Sequence, residues 1–134
     1  MNNGSTIKKD ITIDIKDFPK AHLLLINNLL PNRLTEQEID TLAAFINLDK
    51  DVVTVSGLFG TISRKQVRDK VGLKSAAHLG NIIKSLKKKN YIYEEDGELK
   101  IRNYLVVKPE EKISGEEYFL VYSFKVTTNN GKNK

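Results

Sequence analysis

Gly72 divides two amphipathic helical patterns, and a β-hairpin signature follows them without a linker; no other feature of the chain constrains its fold as much. Before the glycine, Ser63 and Gln66 have the spacing of a capping box, in which two side chains satisfy the first free N–H groups of a helix, and Val67 and Val71 follow as its inward residues. Gly72 suits the end of that helix because the left-handed conformation at a helix C-terminus costs glycine least. Leu73 packs into the turn. Ser75 then caps a further helix running to about Lys89, with Leu79, Ile82, Ile83 and Leu86 on one side. Asn90 ends it. Tyr91-Ile92-Tyr93 and residues 99–107 are β-rich runs on either side of Glu94-Glu95-Asp96-Gly97-Glu98, where Asp-Gly favours a tight hairpin turn.

The flanks extend this unit. Ile7, Ile11, Ile13 and Ile15 share one parity, which predicts a strand over 7–15 that Phe18-Pro19 ends. Leu-rich residues 20–30 read as a short helix terminated by Pro31. Thr35 and Glu38 form another capping box, and Ile39, Leu42, Ala43 and Ile46 give an apolar stripe ending near Leu48, with Leu34 stapling the entry. Residues 49–60 combine a β-branched run (Val52, Val53, Thr54, Val55) with Gly57 and Gly60, and read as a loop containing a short strand. A polar linker from Pro109 leads to a final strand over 117–127 with Tyr118, Leu120, Tyr122, Phe124 and Val126 on one face. The expected organisation is a strand and helix extension over 1–33, a central domain over 34–108, a linker and strand over 109–128, and a disordered tail over 129–134.

Charge is unevenly placed. Residues 60–90 hold nine basic side chains against one acid, Asp69, a net of +8. Because the whole chain carries +5, the remainder is −3. Cationic charge confined to one segment of an otherwise acidic protein is the pattern of a polyanion-binding face.

This succession is similar to the winged helix-turn-helix DNA-binding proteins of bacteria and phages. The residues that carry the resemblance run from Ser63 through Arg64, Lys65, Gln66, Val67, Arg68, Asp69, Lys70, Val71, Gly72, Leu73 and Lys74 to Ser75, then Leu79, Ile82 and Leu86. The closing Lys88-Lys89-Asn90-Tyr91-Ile92-Tyr93 resembles the entry to the wing, with Asn90 where glycine is usual. The resemblance covers about half the chain and implies an α+β fold: three helices and a β-hairpin wing, here with an N-terminal strand-helix extension and a C-terminal strand.

In that family the second helix of the motif enters the major groove. Stepping about 100° per residue from Leu79 places Ala77, Asn81, Lys84 and Lys88 on the outward side, with Lys74, His78 and Ser85 on its flank. Ala77, His78 and Asn81 are the expected base contacts: the Asn81 amide can pair with adenine, and Ala77 permits close approach or contact with a thymine methyl. Arg64, Lys65, Arg68, Lys74, Lys84, Ser85 and Lys88 are the expected phosphate contacts. One feature departs from the family, since Glu94, Glu95, Asp96 and Glu98 put four acids at a wing tip that often carries Arg or Lys. These acids point to a wing turned from the duplex, to a domain that uses its recognition helix alone, or to a protein partner.

Other chemistries find little support. There is no cysteine, and only His22 and His78 are available for a metal, so no cofactor is expected. No glycine-rich phosphate loop or nucleophile motif occurs, so no enzymatic activity is expected. No apolar run is long enough to cross a bilayer and the start lacks a secretion signal, which predicts a cytoplasmic protein of a bacterial cell or phage-infected host, or a virion component. Two readings stand. One is a regulator or replication-initiation factor that binds double-stranded DNA. The other is a structural or adaptor component of a phage particle or nucleoprotein assembly, using the same core for protein packing. The one-sided apolar terminal strands imply a homodimer or larger assembly.

Overall fold

Thr35 starts the helix on which the rest of the fold is built, in a computed structural model describing residues 12–107 and, separately, Thr127. Its hydroxyl accepts from the Glu38 N–H at 3.1 Å while the Glu38 carboxylate accepts from the Thr35 N–H at 2.8 Å, completing the expected capping box. The helix, Glu36–Ile46 (α2), buries Ile39, Leu42, Ala43, Phe45 and Ile46. It follows Phe18–Ile26 (α1) and precedes Lys50–Ser56 (α3), Thr61–Val71 (α4) and Ala76–Lys88 (α5). An antiparallel hairpin of Ile92–Glu95 (β1) and Glu98–Ile101 (β2) closes the unit, paired from Ile92 with Ile101 to Glu95 with Glu98. The architecture is α+β, with five helices and a two-stranded sheet among the described residues.

One core joins these elements. Leu23 and Ile26 of α1, Leu42 and Phe45 of α2, Val67 of α4, and Leu79 and Leu86 of α5 belong to it with Ile92, Ile101 and Leu105. The hairpin turn holds Asp96 at φ 53° and Gly97 at φ 79°, the left-handed pair that an Asp-Gly turn supplies. Asn90 has φ 69°, a left-handed conformation that its short polar side chain tolerates better than most.

Four expectations are corrected. Residues 50–56 are helical and not a loop with a strand: Val52 and Val53 pack against the core, and that tertiary contact outweighs the β-preference of the run. Ser63 is not a cap. Gly60 occupies that position, two residues of helix precede Ser63, and the buried Ser63 hydroxyl donates to the Gly57 carbonyl. Phe18-Pro19 opens α1 instead of closing a strand, because proline is well accommodated in the first helical turn, where no intrahelical N–H bond is lost. Of the strand expected over 7–15, only 12–15 are described; none of these is strand, and Ile15 begins a 3-10 turn whose Asp14 side chain accepts from the Lys16 N–H at 3.2 Å.

Boundaries also shift. The Leu-rich helix breaks into a 3-10 turn at Asn27–Leu29, and Leu30 is extended before Pro31, as a residue preceding proline prefers. After β2 the chain makes a 3-10 turn, Asn103–Leu105, so the second hairpin strand is shorter than residues 99–107. The linker, the strand over 117–127 apart from Thr127, and the tail lie outside the described residues.

Candidate nucleic-acid interface

The position of α5 follows from how its two ends are held. At the start, the Ser75 hydroxyl accepts from the His78 N–H at 3.1 Å, satisfying a free donor of the first turn. The preceding turn is closed by Gly72 and Leu73, whose N–H groups both donate to the Arg68 carbonyl at 2.8 and 2.9 Å. Gly72, at φ 83°, takes the left-handed position that ends α4. Between the ends, Leu79, Ile82, Ile83 and Leu86 are buried and fix which face turns outward.

The far end carries a polar clamp. Glu38 is 3% exposed, and its carboxylate accepts from the Lys89 ammonium at 2.6 Å and from the Ser85 hydroxyl at 2.8 Å, besides the Thr35 N–H. Lys89 also donates to the Arg33 carbonyl at 2.9 Å. Burial by itself pushes the Glu38 carboxyl up, but the Lys89, Thr35 and Ser85 donors and the Lys89 charge together hold it below the ordinary carboxylate value. The start of α2 is thereby fastened to the end of α5.

Just beyond, Arg102 donates to the Asn90 carbonyl at 3.1 Å and to its side-chain oxygen at 2.8 Å, while its guanidinium lies 4.0 Å over the centre of the Tyr93 ring. The Tyr91 hydroxyl exchanges hydrogen bonds with the Asn32 backbone, accepting from its N–H at 3.0 Å and donating to its carbonyl. Helix end, hairpin base and the segment before α2 are tied together.

On the outward side of α5, Ala77, Asn81, Lys84 and Lys88 are exposed, and Lys74 is exposed just before the cap. His78 is half-buried on the flank, its Nε2 lying 3.2 Å from the Gln37 side-chain oxygen; that oxygen only accepts, so the nitrogen is the donor. Ser85 faces inward to Glu38, which engages its hydroxyl within the protein. On α4, Arg64 is half-buried with its Nε donating to the Phe59 carbonyl at 2.7 Å, and Lys65 pairs with Asp69 at 3.4 Å on the surface. Arg68, Lys70, Lys74, Lys84, Lys87 and Lys88 form no ion pair or side-chain hydrogen bond among the described residues.

Two features were not anticipated from the sequence. Lys89 counts toward the cationic segment but is neutralised by Glu38, fifty-one residues away. Gly80 leaves the α5 backbone bare between Ala76, Ala77 and Lys84, and a Cβ built there would meet nothing within 4 Å. The signal for Gly80 was available: glycine inside a helix costs about 0.5–1 kcal/mol relative to alanine, so an interior glycine asks for a reason.

At the hairpin, Glu94, Glu95, Asp96 and Glu98 are all exposed, and Glu95 pairs with Lys100 at 2.8 Å. The hydrogen bond between these two and their mutual charge lower the Glu95 carboxyl and raise the Lys100 ammonium. One acid of the four is thus neutralised by a residue of the opposite strand.

Among the described residues, no group of three or more His, Asp and Glu is placed to hold a metal, and no helix is long and apolar enough to cross a membrane. An apolar groove of about 330 Å³ runs between Phe45, Leu48, Val53, Leu58 and Ile101. A cleft of about 870 Å³ with mixed polar and apolar walls lies beside α4, with Lys20, Asp40, Gln66, Asp69 and Lys70 among its lining residues. No family model, no curated protein and no solved structure matches this chain.

Proposed function

We propose that residues 34–107 act as a winged helix-turn-helix unit and that the protein binds double-stranded DNA, laying α5 in the major groove and catalysing no reaction. The observation that carries this reading is the exposed side of α5, where Asn81 stands among the unpaired Lys74, Lys84 and Lys88 beside the small Ala77 and Gly80. An amide presents donor and acceptor together, as adenine recognition requires, and small neighbours let the helix sit close to base edges. Lysines on the same face supply phosphate contacts that fix orientation without reading sequence. Arg68 and Lys65 of α4 add charge beside it. His78 and Ser85 are engaged by Gln37 and Glu38, and on this reading they orient α5 while Asn81 and Ala77 meet bases.

The biological role that fits is a transcriptional regulator or replication-initiation factor in a bacterial or phage-infected cytoplasm. A second reading, a packing module in a phage or nucleoprotein assembly, is favoured by the exposed acids Glu94, Asp96 and Glu98, which DNA would repel and a basic protein partner would attract. Amide chemical-shift mapping with a mixed-sequence duplex separates the two. The DNA reading requires the largest changes at residues 74–88, with the hairpin tip unmoved. Changes absent from α5, or confined to the hairpin, would refute it.

A further inference from the structure

The apolar groove between α2, α3 and the hairpin is open: Val53 and Leu58 in its walls are only half-buried, and Val106 at its rim is 40% exposed. Where the chain leaves it matters as much as its shape. The 103–105 turn lies beside α1, where the Tyr104 carbonyl accepts from His22 Nε2 at 2.8 Å, but two residues later Val106 lines the groove. The chain beyond Val107 therefore starts from the groove rim.

The sequence after that point holds an occupant of matching chemistry. Residues 118–126, Tyr-Phe-Leu-Val-Tyr-Ser-Phe-Lys-Val, contain seven apolar or aromatic residues in nine, more than any other nine-residue stretch of the chain. Left in water, a β-prone stretch of this kind is an aggregation site, so it needs a cover. Alternation puts Tyr118, Leu120, Tyr122, Phe124 and Val126 on one face. Tyr118 comes eleven positions after Val107, a tether that spans up to about 35 Å when extended, and Pro109 and Gly115 within it suit a reversal of direction. Such a tether holds the segment near the groove at an effective concentration in the millimolar range, which gives it the advantage over a separate partner.

A strand also needs partners for its backbone, and here the groove differs from the apolar surface of α1. Among the described residues β2 pairs with β1 alone. The Arg102 N–H donates to the Tyr91 carbonyl at 3.0 Å, so the hydrogen-bonded pairs are Tyr91 with Arg102, Tyr93 with Lys100 and Glu95 with Glu98. Leu99 and Ile101 accordingly turn their N–H and C=O groups away from β1, toward an edge that can receive another strand. The exposed Leu24 and Leu25 sit instead on a helix, whose backbone groups bond within it. We infer that residues 118–126 dock in the groove of their own chain, beside β2, with the Tyr118, Leu120, Tyr122, Phe124 and Val126 face inward. The inference does not depend on DNA binding, and it gives the C-terminal strand a cover that needs no second subunit.

Nuclear Overhauser spectroscopy on the full chain tests it. Cross-peaks are expected from the rings of Tyr118, Tyr122 and Phe124 to the methyl groups of Val53, Leu58 and Val106, and they should be absent between chains in a mixture of labelled and unlabelled protein. Because the chain has no tryptophan, a single one gives an independent readout. Phe124→Trp should emit to the blue and resist quenching by acrylamide, whereas Lys125→Trp, on the opposite face, should be quenched several-fold more strongly. Ring contacts to Leu25 and Leu29 of α1, contacts that appear only between chains, or Ile7 and Ile11 of the N-terminal segment found in the groove would each overturn the inference. So would the absence of ring contacts, or equal quenching at positions 124 and 125.

Discussion

Glu38 and Lys89 hold the first turn of α2 and the residue that caps α5 together at 2.6 Å, and the pair does more than neutralise charge. The same carboxylate takes the Thr35 N–H and the Ser85 hydroxyl, so the entry of one helix and the orientation of the other depend on a single buried group. Removing one partner of a buried pair strands the other, which costs more than the pair gains over apolar packing. Glu38→Ala should therefore destabilise the protein by about 2–3 kcal/mol, combining the lost cap with the stranded lysine. Urea denaturation measures this, and a change no larger than that of an ordinary surface substitution would contradict it.

The pH dependence follows from the same group. The Glu38 carboxyl is held below its ordinary value of 4.5 in the folded state, so its stabilising contribution is fully present above that value and is lost as pH falls through the folded one. The urea midpoint of wild type should fall on acidification below about pH 4.5, and Glu38→Gln should flatten that part of the profile. Glu95 is lowered too, but it is exposed, and neutralising it should leave most of the acid dependence in place.

Gly80 separates stability from recognition. Nothing lies near the position of an added Cβ, so Gly80→Ala should stabilise the fold by about 0.5–1 kcal/mol through helix propensity. If α5 lies close against a groove, the same methyl should weaken duplex binding. A variant that melts higher and binds less is the expected outcome; unchanged binding would show that the bare backbone is not used.

Asn81 and Arg68 should differ in kind. Asn81→Ala removes an exposed amide which, on the proposed reading, meets base edges, and it should weaken one preferred sequence by about 1–3 kcal/mol while sparing random duplex. Arg68→Ala should weaken all sequences alike and lower the salt dependence by about one phosphate. Binding assays on a selected site and on random DNA distinguish these, and equal losses in both assays for Asn81→Ala would remove it as a reader.

Thr41 is fully buried in α2 and its hydroxyl has no hydrogen-bond partner among the described residues. Thr41→Val keeps the shape and removes the unsatisfied group, so a gain of about 1 kcal/mol in thermal or chemical stability is expected. A loss would mean that the hydroxyl is satisfied in solution.

What could be read from the sequence was local, and what could not was tertiary. The Thr35 cap, the Gly72 stop, the Ser75 cap and the Asp96-Gly97 turn each depend on residues within a few positions of one another, and each stands where the pattern puts it. The helix at 50–56 was hidden because four β-branched residues argue for strand until Val52 and Val53 find the core. Ser63 and Gln66 imitate a capping box, but Gly60 caps instead, and a Cβ there would fall on the Ser56 carbonyl. In the candidate site, helical periodicity placed Ala77, Asn81, Lys84 and Lys88 outward, whereas the internal hydrogen bonds of Ser85 and His78 were not legible. Their partners, Glu38 and Gln37, lie on another helix, and no spacing rule reaches across forty residues.

If the cationic side of α5 neutralises DNA phosphates, the affinity for random duplex must depend steeply on salt. With about six phosphates neutralised, affinity should fall about 10³-fold between about 50 and 200 mM salt, and charge-reversing Lys84 and Lys88 should flatten that slope. Weak binding at every salt concentration, or a slope that survives the reversal, would rule out a DNA-binding role for this side of α5.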